Sequence, residues 1–412
     1  MDFPLTIEPV MLKYLVHFII GIAFGAALEM SGFAISTRLA GQFYFKDQTV
    51  LKVMFGAVVT AMVLIFWFVA MGWLDYERIW VNPTYLWPGI VGGLIMGVGF
   101  IIGGFCPGTS FVSAATGKLD GLWFALGVVG GVLLFGETEP LFHTWWYSSY
   151  YGRLTLFEVF GTSYGVMVAI VVIMALLMFW GADYLERKVG GYTTGWTRPA
   201  KWGFGLLALA ALALPLFGEP SVDELWARVA PEMEPKLQAR EVYIHPGELM
   251  EARYDERFRT VVLDVRSEAD YNLFHLRWAH RAEMDDLPAW ARRIKKDPRL
   301  TVVVLVSNDD QAATEAWKTL VALGVPNVYI LDGGINHWLD YFAKDDPRIH
   351  PLSLTGGAAS ERLRWDFDYA LGETSPAADP VPDWGWHEEL LEEFQPKIKL
   401  ELPAGPSGGG CG

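Results

Sequence analysis

What most constrains this chain is a succession of apolar runs, each about as long as the roughly 20 helical residues needed to cross a bilayer. They lie at Val10–Leu28, Val50–Leu74, Leu86–Phe105, Leu119–Phe135, Gly161–Gly181 and Trp202–Phe217. Any one of them would suit a buried helix of a large soluble enzyme. In succession, with few charges inside them, they read as an α-helical integral membrane domain of six spans. The stretches Ser31–Phe45 and Pro107–Thr116 are too short or too polar to span and read as re-entrant.

Charge divides the chain in two. Up to Ala200 there are 10 Lys and Arg against 12 Asp and Glu; after it, 22 against 35. The acidity therefore belongs to the C-terminal half, and it argues against a nucleic-acid partner, which needs a basic face. Met1–Pro9 is acidic and does not read as a cleavable signal peptide. Lys and Arg gather in two short loops, at Arg38, Lys46 and Lys52 and at Arg187, Lys188, Arg198 and Lys201. By the positive-inside rule these loops face the cytoplasm. With six spans, the termini and the soluble half then lie outside, in the periplasm of a bacterial inner (plasma) membrane.

The membrane half contains an internal echo. Gly21-Ile22-Ala23-Phe24-Gly25 leads through Glu29 into Ser31-Gly32-Phe33-Ala34-Ile35-Ser36, and Gly97-Val98-Gly99-Phe100 leads into Gly104-Phe105-Cys106-Pro107-Gly108-Thr109-Ser110. Both are glycine-spaced apolar helices that break at a small, hydroxyl-rich turn. Paired interruptions of this kind point to a midplane binding site, although small residues also serve close helix packing. Pro107 suits the first position of a helix, which places Cys106 at its N-cap. The amides of Gly108 to Ser110 would then attract an anion, the hydroxyls of Thr109 and Ser110 would add donors, and the thiol would be activated. Glu29 and Ser31 are further candidates for the membrane site. Glu29 reads either as a functional intramembrane acid or as the end of a span, snorkelling or paired with Arg38.

These residues carry a resemblance. Residues 10 to about 190 resemble the YeeE/YedE-type sulfur-transport membrane family, through Ser31-Gly32-Phe33, Gly41-Gln42-Phe43-Tyr44-Phe45, Thr49–Phe55 and, most specifically, Gly103–Thr109. The resemblance implies an hourglass of two inverted halves that passes a sulfur compound, such as thiosulfate, past thiols in its narrow middle. Cys106 matches one family cysteine. Ala34 stands where the thiosulfate importers carry another, so one rung of the relay is missing.

From Glu241 the pattern changes. Thr260–Arg266, Thr301–Val306 and Val328–Leu331 are the short apolar runs of buried parallel strands, and Ala312–Leu323 and Glu283–Lys295 read as helices. Leu263-Asp264-Val265-Arg266, then Asp270-Tyr271, His275, Ala279-His280, and finally Leu331-Asp332-Gly333-Gly334-Ile335 with Trp338 resemble a small α/β rhodanese domain from about Arg240 to Phe342. In that family the strand matching Thr301–Val306 ends in a persulfide-forming cysteine and an anion cradle. Here the loop reads Ser307-Asn308-Asp309-Asp310-Gln311-Ala312. A hydroxyl forms no persulfide and two aspartates repel an anion, so the domain reads as catalytically silent, with Asp309 or Asp310 capping the following helix.

Beyond Pro351 the chain reads as a loose acidic linker, with Trp384, Trp386 and Leu390–Phe394 as a docking patch or short helix and Lys397–Leu402 alternating like an edge strand. It ends in Gly408-Gly409-Gly410-Cys411-Gly412. That end resembles the swinging arm of the periplasmic sulfur-carrier subunit of the thiosulfate-oxidising Sox system. The expected organisation is a membrane domain over 10–190, a sixth, signal-anchor-like span over 191–218, a linker over 219–239, a rhodanese-like domain over 240–350 and a flexible tail over 351–412. The expected function is transport of thiosulfate or sulfane sulfur, with Cys106 and Cys411 as relay thiols and a sulfur-carrier protein and membrane lipid as partners. A membrane-anchored sulfur carrier without transport, or a selenium-compound transporter, is the alternative. Nothing in the sequence calls for a cofactor or a metal.

Overall fold

The computed structural model describes residues 10–76, 79, 81–190, 198–296, 300–344, 346–352, 361–380 and 394–400. The chain divides into two compact units that meet between Glu219 and Pro220.

The first unit is helical. Its order is α1 (Val10–Met30), α2 (Ser36–Gly41), α3 (Thr49–Ala70), β1 (Thr84–Tyr85), α4 (Leu86–Gly103), α5 (Pro107–Ala115), α6 (Leu119–Trp146), β2 (Tyr150–Gly152), α7 (Leu156–Phe160), α8 (Tyr164–Leu185) and α9 (Arg198–Ala213). The echo in the sequence is an echo in the fold. Each half runs from a long helix through a left-handed glycine, Gly32 at φ 80° or Gly104 at φ 71°, into a short helix and then a second long one. Such a backbone strongly favours glycine, which has no Cβ to clash. The short helices α2 and α5 occupy the stretches expected to be re-entrant. Pro140 lies inside α6, and Phe142, just after it, leaves helical geometry, as a proline without an N–H requires.

Five helices are long and apolar enough to cross a membrane, and a shorter apolar helix covers Ala200–Leu216. The six expected spans thus resolve into five long helices and one short one. No residue of α1 is buried within the chain. At 1.5 Å per residue its 21 residues match the thickness of a hydrocarbon core. An apolar surface that large belongs in lipid. Packing concentrates where α8 lies between α3 and α9: Val59, Val63, Phe66 and Val69 meet Tyr164, Val168, Val172 and Phe179. There the rings of Phe66 and Tyr164 stack at 5.2 Å.

The second unit holds α10 (Val222–Gln238), β3 (Tyr243–Ile244), α11 (Pro246–Tyr254), β4 (Arg259–Asp264), α12 (Glu268–Leu273), β5 (Ala279–Arg281), α13 (Leu287–Lys295), β6 (Thr301–Val306), α14 (Gln311–Ala322), β7 (Val328–Leu331), α15 (Gly334–Phe342), β8 (Ile349–Pro351) and β9 (Trp365–Phe367). Its parallel five-stranded sheet has the order β3-β7-β6-β4-β5. Strand alternation divides β6 between two cores. Val302, Val304 and Val306 face one with α11 and α15, while Val303 and Leu305 face the other with α10, α13 and α14. A strand buried on both faces has to be apolar throughout, and every residue of β6 is buried.

Two boundaries differ from expectation. The presumed linker 219–239 is the helix α10, opened by a reciprocal capping box between Ser221 and Glu224. It packs Trp226, Met233 and Leu237 into the core beside α14, where the Trp226 ring lies 5.9 Å from that of Trp317. The α/β domain also continues past residue 350. An antiparallel pair, β8 with β9, follows, and Trp365, Leu371, Ala377 and Ala378 join the core. These apolar side chains are spaced too irregularly to show a period in the sequence.

Candidate functional site

In the membrane region the two glycine turns meet. A Cβ on Gly104 would come within 3.0 Å of the Ser36 carbonyl. Phe33 and Phe105, the residues after the two turn glycines, share one buried cluster with Leu39 and Val50. Ala34 and Cys106 follow them, so they are equivalent positions. Ala34 is buried, and its carbonyl accepts from Ser113 Oγ at 3.2 Å and Lys118 Nζ at 2.8 Å. Cys106 is a free, partly exposed thiol.

Cys106 is the N-cap of α5, in extended backbone at φ −91° and ψ 164°, with Pro107 at the first helical position. Thr109 organises it. Its hydroxyl oxygen accepts the Cys106 N–H at 3.0 Å, lies 3.2 Å from Cys106 Sγ and is 3.1 Å from the Cys106 carbonyl. Ser110 donates to the Pro107 carbonyl at 2.7 Å. Both hydroxyls are buried and engaged within their own turn, so they do not serve as the free anion donors the sequence suggested. The Thr109 N–H faces the Cys106 side chain in a capping box, which leaves the first-turn amide of Gly108 as the donor that helix geometry does not satisfy. Helix α6 approaches α5 at Gly121, where a Cβ would overlap Ser113.

Glu29 sits on the last turn of α1 and is exposed within the chain. Ser31 donates to the Ala27 carbonyl at 2.8 Å. Arg38 pairs with Asp47 at 3.6 Å rather than with Glu29.

In the α/β unit the loop after β6 carries Ser307, fully buried. Its hydroxyl donates to the Asp309 carbonyl at 2.9 Å and lies 3.3 Å from Glu361 Oε1. The same Glu361 oxygen accepts the Ala312 N–H at 2.9 Å. The first turn of α14 is thus capped by Glu361 and not, as expected, by the side chain of Asp309 or Asp310. Asp310 is engaged elsewhere, accepting Gly333 N–H at 2.8 Å and pairing with Arg240 at 2.9 Å. Arg364 lies 3.4 Å from Asp309. Burial opposes the charge on Arg240, but its bonds to Asp310 and Asp332 raise it above the usual arginine range. The two aspartates expected to repel an anion are therefore balanced by arginines.

The Gly333-Gly334 turn closes against this loop, both glycines at positive φ. A Cβ on Gly334 would come within 2.8 Å of the Asn308 backbone. Ile335 and Asn336 donate to the carbonyls of Ser307 and Asn308. Beneath lies a buried ion pair, Asp264 with Arg266 at 2.6 Å.

Cys411, Trp384, Trp386 and Leu390 lie outside the described residues. The segment Phe394–Leu400, which leads toward Cys411, is docked. Glu248 Oε1 accepts the N–H groups of Lys397 at 2.6 Å and Ile398 at 2.7 Å, Tyr329 exchanges bonds with Lys399, and Phe394 stacks on His245 at 4.9 Å. Burial raises the Glu248 carboxyl above the usual range despite those two N–H bonds. Among the described residues no cluster of three or more His, Cys, Asp or Glu is placed to hold a metal.

Paired glycine turns in a multi-helix membrane region, followed by a parallel α/β sheet with the buried Ser307 at the end of a central strand, define a membrane protein that carries a rhodanese-like domain. Residues 30–228 match the family model described as Sulphur transport, and residues 246–341 match the Rhodanese-like domain. The N-terminal region is thus similar to the YeeE/YedE-type sulphur-transport family. Probable transporter YedE of Escherichia coli is 27% identical over 29% of this chain and 31% of its own length. Its counterpart in Salmonella typhimurium is 24% identical over 40% and 41%. A tRNA uridine(34) hydroxylase of Staphylococcus epidermidis is 35% identical over 26% of this chain and 35% of its own. The chain spans about a third to two fifths of the length of these relatives. No solved structure is a significant match.

Proposed function

We propose that this chain transports a sulfur-containing species, thiosulfate or sulfane sulfur, through its membrane region. The observation that carries the reading is Cys106: a partly exposed thiol at the N-cap of α5, held by Thr109, beside the place where the two repeated turns meet. A helix N-terminus attracts an approaching anion. Ala34 leaves the equivalent position of the first half without a thiol, so Cys106 contacts the cargo alone at that level. Cys411 serves as an acceptor. A persulfide donor passes its outer sulfur to the Cys411 thiol and leaves as the free thiol, and the rhodanese-like domain docks that donor, a sulfur-carrier protein. The basic loops, read as cytoplasmic, support a bacterial inner membrane location with this domain on the periplasmic side.

The test is uptake of radiolabelled thiosulfate by cells or vesicles. Cys106→Ala should lose it, with the protein inserted at normal level; uptake at the wild-type rate refutes the role of Cys106.

A further inference from the structure

Far along the chain, Phe394–Leu400 returns to the face of the sheet covered by α11 and α15. Phe394, Ile398 and Leu400 pack against the core on that face. Ile398 and Leu400 are half-buried, with the exposed Lys399 between them, the alternation of a chain that turns one side to a surface. Yet the segment joins no strand, and its backbone is held by side chains instead. Lys397 and Ile398 donate their N–H groups to Glu248 Oε1. Lys399 donates its own to the Tyr329 hydroxyl at 2.8 Å, and that hydroxyl donates to the Lys399 carbonyl at 2.9 Å. Lys397 Nζ donates to the Arg240 carbonyl at 2.9 Å.

Glu248 is the costly member of this arrangement. The residue is 3% exposed. Among the described residues its hydrogen-bond donors are those two backbone amides alone, and Oε2 is buried without a partner. A carboxylate taken out of water is strongly disfavoured unless hydrogen bonds compensate it. Removing a charged acceptor would strand both amides. The acid therefore has its rationale in what it holds. A fastening made through side chains also opens without breaking any strand of the sheet.

We infer that Phe394–Leu400 is a clasp, locked by Glu248, that sets the origin from which Cys411 works. The eleven residues 401–411 lead from the clasp to Cys411, and eleven residues stretch no further than about 36–40 Å. With the clasp open, the last described residue upstream is Pro380, whose carbonyl accepts from the Tyr254 hydroxyl at 3.4 Å. The 31 residues 381–411 then set the limit, at about 100–110 Å. The closed clasp keeps Cys411 near the α/β domain, where the proposed persulfide donor docks. That purpose rests on Cys411 as acceptor; the clasp itself does not require Cys411 ever to carry sulfur.

The test measures the effective concentration of Cys411 at the domain surface, in the full-length protein in detergent. Cys106→Ala leaves Cys411 as the sole native thiol of the two. Glu241→Cys adds a partner thiol at an exposed residue next to Arg240, whose carbonyl Lys397 reaches. In a glutathione buffer the two thiols give two electrons and two protons to oxidised glutathione and join as a disulfide, and the buffer ratio at half-formation reports the effective concentration. Opening the clasp with Glu248→Ala should lower it about fivefold, the −3/2 power of linker length applied to the longer segment. Ile398→Asp with Leu400→Asp alters only the tail side and should do the same, which preserves the test if Glu248→Ala folds poorly. Glu248→Gln, whose amide oxygen still accepts, should fall between. An effective concentration unchanged in both opening variants would show that nothing is held at 394–400. A disulfide formed between chains would show that the segment docks on a second copy. Either result overturns the inference, and because glutathione is the probe, neither depends on whether Cys411 accepts sulfur.

Discussion

The ion pair under the Ser307 loop offers a quantitative test of how the α/β domain is held together. Asp264 and Arg266 have side chains 0% and 1% exposed. Arg266 Nε donates to Asp264 Oδ1 at 2.9 Å and Nη2 donates to Oδ2 at 2.6 Å, while Nη2 also reaches the Phe274 carbonyl at 2.7 Å. Asp264→Ala would leave a guanidinium buried with only neutral oxygens for company. Stranding one member of such a pair costs about 3–5 kcal/mol. In a domain of this size that lowers the melting temperature by roughly 6–20 °C. Replacing both, as Asp264→Leu with Arg266→Met, removes the stranded charge and should recover much of the loss. The Phe274 carbonyl, left without its donor, would retain a cost of about 1–3 kcal/mol. Arg266→Lys should fall between, because an ammonium cannot span both carboxylate oxygens and the carbonyl. The assay is thermal unfolding of the full-length protein in detergent, followed through the buried Trp317 and Trp338. A drop below about 2 °C for Asp264→Ala, under 1 kcal/mol on the same scale, would refute the reasoning.

Two further outcomes follow from single sites. Asp346 is held at about 2, below its ordinary 3.8, by hydrogen bonds from Arg348 and then Ser375; a depressed carboxyl stabilises the fold above its unfolded value, so this contribution should be complete above about pH 4 and disappear as the pH falls toward 2. Thermal unfolding against pH should show that loss in the wild type and not in Asp346→Asn. In the membrane region, Gly121→Leu should separate α5 from α6, because even a Cβ there overlaps Ser113; overpacking costs about 1–3 kcal/mol, visible as a lower melting temperature in detergent and as reduced uptake.

Much of this was legible in the residues. Thr301–Val306 and Val328–Leu331 are strands as read, because a run buried on both faces has no polar position to hide. The helix expected at Ala312–Leu323 spans Gln311–Ala322. Helix α10 was missed because Pro231 and Pro235 look like breakers. Both are exposed, where their missing N–H groups leave carbonyls to water, and the Ser221/Glu224 capping box was the signal that could have revealed it. At the sites, sequence pattern placed Cys106 on its N-cap and Ser307 at the end of its strand. It gave no hint of Glu361, whose role depends on a chain reversal with no local signature, nor of hydroxyls at Thr109 and Ser110 turned inward.

The Glu361 cap on α14 also carries a temporal consequence. Synthesis runs from the N-terminus, so β3 has no partner until Val328–Leu331 has been made, and β7 is the last strand of the sheet to appear. Parallel pairing across so long an interval is intrinsically slow. Glu361 comes later still. A nascent chain therefore passes through a stage in which the sheet and α14 exist and the Ser307 loop stands uncapped, its donors turned to water. Capping by Glu361 cannot precede the synthesis of residue 361, and a chain stopped just before it would lack this cap on α14.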